Sequence, residues 1–169
     1  MESLRELYRL GVGPSSSHTM GPARAAAEFK KATPTATGYV VILHGSLAAT
    51  GRGHLTDVAV TRALAPVPVR IEWQGTSTDL PHPNTMDLIA LDADLQELAR
   101  WRVQSVGGGA LRGAGFAAAP SVYPESSLHE ILQWCAGRPV WTVVDTREGP
   151  AIWDHLRSVC PCAPCRAAR

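Results

Sequence analysis

At 169 residues the chain has room for one compact domain, or one domain with a short appendage. It is 45% apolar and 18% charged, with 16 Lys+Arg against 15 Asp+Glu. That is enough apolar residue for a real core, and it excludes a disordered or acidic-tail protein. A net charge of +1 leaves no global field to recruit nucleic acid or an anionic membrane, and 6% aromatics excludes a base-stacking platform.

In chain order, Leu4, Leu7 and Leu10 with Tyr8 make a short amphipathic turn interrupted by Glu2 and Glu6. A basic start followed by an apolar run is absent, as is any stretch of 18 apolar residues, so a cytoplasmic protein is expected. Pro22 suits the first turn of a helix over Ala23–Lys31, with Pro34 beyond its end. Tyr39–Ala49, β-branched at its start, reads as a buried strand. Leu55–Ala65 carries apolar residues at helical spacing and stops before Pro66. Val67–Trp73 alternates at period two, as a half-buried strand does. Asp87–Leu91 and Leu95–Ser105 read as strands around a hairpin turn at Asp92–Asp94, and Gly107–Gly109 ends that run. Ala110–Pro124 is small and suits a linker; a helix follows from Ser126 to Cys135, then two short helices broken at Gly149-Pro150. The pattern predicts an α/β or α+β sandwich, a mixed sheet with helices, over 1–125, a helical segment over 126–159 and a Cys-rich tail over 160–169.

Fifteen Gly and thirteen Pro point to a site built on loops, and four loops stand out. Gly11–Gly21 (GVGPSSSHTMG) sets Ser15, Ser16, Ser17 and Thr19 just before a helix, where hydroxyls and unpaired amides hold a carboxylate or phosphate. His18 sits among them with a side chain suited to proton transfer near neutral pH. The plainer reading is a well-supplied N-cap with a solvated histidine. Gly45–Asp57 (GSLAATGRGHLTD) holds Arg52 and His54 in a glycine-rich turn that is not a P-loop; it suits a strand-to-helix turn as well as a binding loop. Leu80–Met86 (LPHPNTM) fixes His82 and Asn84 around Pro83, an arrangement ordinary turns also use. Ser105–Gly109 (SVGGG) offers bare backbone for close approach by a ligand or another chain.

In this order, GPSSSHTMGPARAA, LHGSLAATGRGHLTD, HPNTM, SVGGG and YPESSLHEILQWC resemble the β domain of iron–sulfur-dependent L-serine dehydratases, from about Leu4 to Trp153. The resemblance implies a fold similar to the allosteric-substrate-binding domain of some phosphoglycerate dehydrogenases. It also implies a partner, the family's α domain with its [4Fe–4S] cluster, which in the family is fused or on a separate chain. Here a hetero-oligomer with a separate α chain is expected, acting together on L-serine to give pyruvate and ammonia. On that reading His18 is the base, the serines and Thr19 bind the substrate carboxylate, and His54, His82 and Asn84 orient substrate or close the interface. The chain departs from the family at His44, where Tyr is usual, at Leu55, where a small residue is common, and at Thr85, where Gly is frequent. None of these changes removes a candidate residue. Two rivals share the motifs: a non-catalytic module binding small amino-acid or hydroxy-acid carboxylates, and a relative acting on cysteine or threonine.

Cys160, Cys162 and Cys165 lie outside the β-domain pattern. Their C-x-C-x2-C spacing, with Arg157 and Arg166 nearby, suits thiolate ligation of zinc or part of a cluster. Three ligands make an incomplete site, and a reduced, unstructured tail is the plainer expectation.

Overall fold

The computed structural model describes residues 1–11, 13–76, 79–117 and 119–159. They fall into two compact units: Gly11–Ala118, and Met1–Leu10 together with the chain from Ala119 onward. The tail cysteines 160, 162 and 165 lie outside the described residues.

The first unit is an α+β sandwich around one five-stranded mixed sheet. A π-helical turn, Ser16–Met20, runs directly into helix α2 (Gly21–Ala32), which lies two positions wider at the start than its alanine run suggests. Alanine favours helix intrinsically, Pro22 occupies the first turn, and Lys30 and Lys31 close the last turn against the helix dipole. The buried positions of α2 are Gly21, Pro22, Ala25, Ala26 and Phe29, the spacing of a single helical stripe. Strand β1 (Gly38–His44) follows, then short helix α3 (Gly45–Thr50) and helix α4 (Thr56–Leu64). The strand expected over Tyr39–Ala49 therefore stops at His44. Gly45 adopts φ +50°, and an added Cβ would meet the Pro83 carbonyl oxygen at 2.7 Å, so the chain turns there and continues as helix.

Strands β2 (Val69–Gln74), β3 (Thr85–Leu91), β4 (Glu97–Gly107) and β5 (Ala110–Gly113) complete the sheet in the order β2-β1-β3-β4-β5. β1 and β2 are parallel, joined through α3 and α4; the other pairings are antiparallel. β5 occupies the first residues of the stretch expected to be a linker. Gly107, Gly108 and Gly109 all have positive φ and make the turn between β4 and β5, so the triple glycine serves a hairpin. One face of the sheet contributes Tyr39, Val41, Leu43, Met86, Leu88, Ala90 and Val103, which pack with Ala25, Ala26, Phe29, Val60 and Leu64. The alternation of these numbers is the strand period of two.

The second unit contains helices α1 (Leu4–Leu7), α5 (Leu128–Cys135), α6 (Trp141–Glu148) and α7 (Ala151–Val159). Its apolar cluster is small: Tyr123, Cys135 and Val143, flanked by Leu4, Val122, Ile131, Trp134 and Val144. Polar contacts supply much of the remaining cohesion. The Met1 ammonium donates to the Tyr123 carbonyl at 2.6 Å, and Glu148 accepts from Ser3 Oγ, the Leu4 N–H and the Tyr123 hydroxyl.

Candidate functional site

Three loops of the sandwich unit converge at the C-terminal end of β1. Ser15 caps the π-helical turn: its hydroxyl accepts from the His18 N–H at 3.1 Å, and its carbonyl accepts from the Thr19 and Met20 N–H groups. That hydroxyl is committed to the backbone, as an N-cap is. Thr19 is buried and its hydroxyl donates to the His54 carbonyl at 2.7 Å; Thr56 Oγ1 donates to the His18 carbonyl at 2.6 Å. These two threonines tie the first loop to the second. Ser16 is exposed at the start of the turn.

The consequence is a pair of stacked imidazoles. The rings of His18 and His54 lie 4.7 Å apart, tilted by 34°. His18 Nδ1 is 3.0 Å from Ser17 Oγ, and its Nε2 is 3.1 Å from Ser46 Oγ. Partial burial and the neighbouring His54 both depress the His18 pKa, with a hydrogen bond to the Ser46 main chain opposing them, so the ring is neutral at pH 7. His54 Nδ1 lies 3.0 Å from the Thr50 carbonyl oxygen. A carbonyl only accepts, so Nδ1 carries the hydrogen and the lone pair of neutral His54 resides on Nε2.

The third loop joins through the backbone. The Ser46 N–H donates to the Pro83 carbonyl at 2.8 Å, which links the Gly45–Ser46 turn to His82 and Asn84. His82 Nδ1 accepts from the Asn84 N–H at 3.0 Å, and Thr85 Oγ1 donates to the His82 carbonyl, so the loop is locked by its own side chains. Asn84 Nδ2 donates to the Ser105 carbonyl, while its Oδ1 is buried without a partner. Ser105 Oγ, also unpartnered, lies where a Cβ on Gly21 would fall, so the small residue at 21 lets β4 and the start of α2 touch.

The structure thus brings His18, Ser17 and His54 together and reaches the His82–Asn84 loop through Ser46. Ser46 is the residue that motif reading passed over. Its only local signal is its place after a glycine at the end of a strand. Among the described residues, no three His, Cys, Asp or Glu side chains converge so as to hold a metal ion. The paired histidines have the hydroxyls of Ser17 and Ser46 beside them, an arrangement able to hydrogen-bond and to exchange a proton.

Residues 3–69 match the serine dehydratase beta chain family. That segment contains His18, Ser46 and His54, together with α2, β1, α3 and α4. The chain is similar to L-serine dehydratase TdcG of Escherichia coli (strain K12), 45% identical over 71 residues, which is 38% of this chain and 16% of that protein. It is 50% identical over 62 residues to L-serine dehydratase of Helicobacter pylori (strain ATCC 700392 / 26695), covering 34% of this chain and 14% of that one. An alignment of 213 residues with L-serine dehydratase of Haemophilus influenzae, at 27% identity, takes in 94% of this chain and 47% of the relative. The chain therefore spans less than half the length of the curated relatives it matches. No described helix is long and apolar enough to cross a membrane.

Proposed function

We propose that this chain supplies the beta-chain half of a cytoplasmic L-serine dehydratase, a lyase that turns L-serine into pyruvate and ammonia. Support comes from the stacked His18–His54 pair, held by hydroxyls inside the segment that matches the family. The reaction removes the Cα proton and the β-hydroxyl of serine; the resulting aminoacrylate tautomerises to an imine and hydrolyses. An unactivated Cα–H is a poor acid, so the site needs a neutral, placed base. On the family resemblance the [4Fe–4S] cluster would be held by the α chain, where it would supply a Lewis acid toward the substrate hydroxyl.

This chain's own contribution is proton transfer and orientation. Neutral His18 takes the Cα proton while Ser17 and Ser46 fix the plane of its ring. Ser16, exposed beside it, donates to the substrate carboxylate. Ser15 and Thr19 hold the loop and act on substrate only indirectly. A second assignment of the base rests on a specific observation. His54 Nε2 bears the lone pair and has no described partner, whereas both ring nitrogens of His18 face hydroxyls.

The deciding experiment reconstitutes this chain anaerobically with a cluster-bearing serine dehydratase α chain and assays pyruvate release. His18→Asn and His54→Asn then separate the two bases, since each keeps hydrogen bonding and neither accepts a proton at neutral pH. Serine binding by this chain with no turnover in any α-chain mixture would instead establish a carboxylate-binding module. Turnover of cysteine or threonine in preference to serine would move it to a sister activity.

A further inference from the structure

Opposite the helices, the outer face of the sheet carries a charged cluster that the proposed chemistry does not use. Asp87 on β3 is almost fully buried, with 3% of its surface exposed. Arg102, directly opposite on β4, grips it through two bonds of 2.7 Å, Nε to Oδ1 and Nη2 to Oδ2. From the other side His44, the last residue of β1 and 5% exposed, brings Nε2 to 3.2 Å from Asp87 Oδ2. Burial by itself would raise the Asp87 pKa, but Arg102 and His44 outweigh it and keep the carboxyl ionised. A buried ionic cluster holds strands together no better than apolar side chains of the same size, so its position calls for another explanation.

Its position is at the root of the site. His44 is followed at once by Gly45 and Ser46, and Ser46 Oγ meets His18 Nε2. Asp87 lies two residues beyond Thr85, where the loop bearing His82 and Asn84 enters β3. Ser46 N–H and the Pro83 carbonyl join the same two segments on the loop side. One side chain pair thus spans the two strand ends from which both loops spring.

We propose that Asp87 and His44, braced by Arg102, are positioning residues that set the Gly45–Ser46 turn and through it the orientation of the His18 imidazole. The pair touches no substrate. It locks the ring of His44 through a hydrogen bond of fixed direction, which an apolar contact would leave free to slide. The relevance of His18 to catalysis rests on the function proposed above, but the coupling itself does not, so it is tested without turnover.

The experiment follows the His18 ring protons by NMR through a pH titration of the full chain, with Ser46→Ala, Asp87→Asn, His44→Leu and His44→Gln. His54 is the titratable group stacked on His18, and its own titration is read in the same spectra. Loosening the turn admits water to His18, so Asp87→Asn and His44→Leu are expected to raise its pKa toward the ordinary value of about 6.5. His44→Gln, which still donates to Asp87, is expected to restore the starting value. In a Ser46→Ala background Asp87→Asn is expected to add nothing further. Should Asp87→Asn fail to fold, Arg102→Gln, which removes only the half-exposed brace, gives the same readout in smaller measure. An unchanged His18 titration in folded His44→Leu, or an equal shift with and without Ser46, would overturn the proposal. Either result leaves the assignment of the base to be judged by turnover alone.

Discussion

The two units of this chain are held together by different means, and the difference bears on where chemistry can be placed. The sheet unit buries continuous apolar faces: β3 is buried over six consecutive residues, and Phe29, Leu43, Leu64 and Leu88 have no exposed surface. The helical unit closes over a cluster of three buried apolar residues, with Ile152 buried besides, and leaves Leu128, Leu132 and Trp141 half or more exposed. It is fastened instead by carboxylates: Glu148 with its three donors, and Glu125 paired to Arg147, whose guanidinium also lies over Trp134 with that of Arg138. An apolar core stays rigid whatever the protonation state, so ionisable groups can be set into its rim and tuned. A frame made of carboxylates has no such reserve.

The largest effect expected from this contrast is catalytic. In the reconstituted two-chain enzyme, replacing the working base, His18→Asn on the primary assignment, lowers kcat by about 10²–10⁴ while Tm barely moves. Because the His18 pKa is depressed below 6.5, kcat/KM holds until the pH falls beneath that value and then declines as the ring takes a proton. An acid limb centred well above 6.5 would remove His18 from the role. Loss of most activity in His54→Asn with His18→Asn near wild type would transfer it to His54.

Stability comes next. Leu88→Ala or Phe29→Ala in the sheet core is expected to cost about 2–5 kcal/mol by denaturant unfolding, whereas Leu132→Ala on the helical unit changes stability by less than about 0.5 kcal/mol. Equal losses at the two sites would mean that the exposed face of α5 is covered in solution.

A smaller effect separates the units by pH. Glu125 and Glu148 both sit below the ordinary 4.5: Glu125 chiefly through Arg147, Glu148 through Ser3, Leu4 and Tyr123 despite the opposing effect of burial. Depressed carboxyls stabilise fully above the unfolded value and lose that contribution as pH falls through the folded one. Amide exchange at Leu4 and across α6 should therefore accelerate below about pH 4.5 before the sheet amides respond. Glu148→Gln should bring the same loosening to neutral pH, at about 1–3 kcal/mol. Simultaneous acid loss of both units would show that they unfold as one.

The smallest change is at the exposed Glu97–Arg100 pair of β4, where Glu97→Gln should leave Tm unaltered because solvent screens both charges. A measurable drop there would assign the outer sheet face more ordering than its exposure implies.

Much of this molecule is legible in one dimension. Helical spacing at Ala25–Phe29 and Val60–Leu64 and the apolar run of β3 announce their elements, because local propensity and a periodic apolar face agree. The stacked pair was legible only as two separate motifs, since nothing at position 18 refers to position 54. β5 was missed because four residues, ALRG, carry too little pattern to outweigh the glycines around them, and pairing with β4 decides their conformation. The strand expected to reach Ala49 ends at His44; Leu47, buried in the helix that follows, continues the apolar run of β1 and hides where the strand stops. Sequence alone therefore determined most of the elements and the hydroxyl-rich loop, set by neighbours within a helical turn or a strand's length, and the family likeness, set by the order of the motifs along the chain. Tertiary structure decided that Ser46 faces His18, that Asp87 meets both His44 and Arg102, and that Met1 lies on Tyr123. Each of these contacts joins residues far apart in the chain, and only the register of a folded sheet or the packing of distant helices brings them within hydrogen-bonding range.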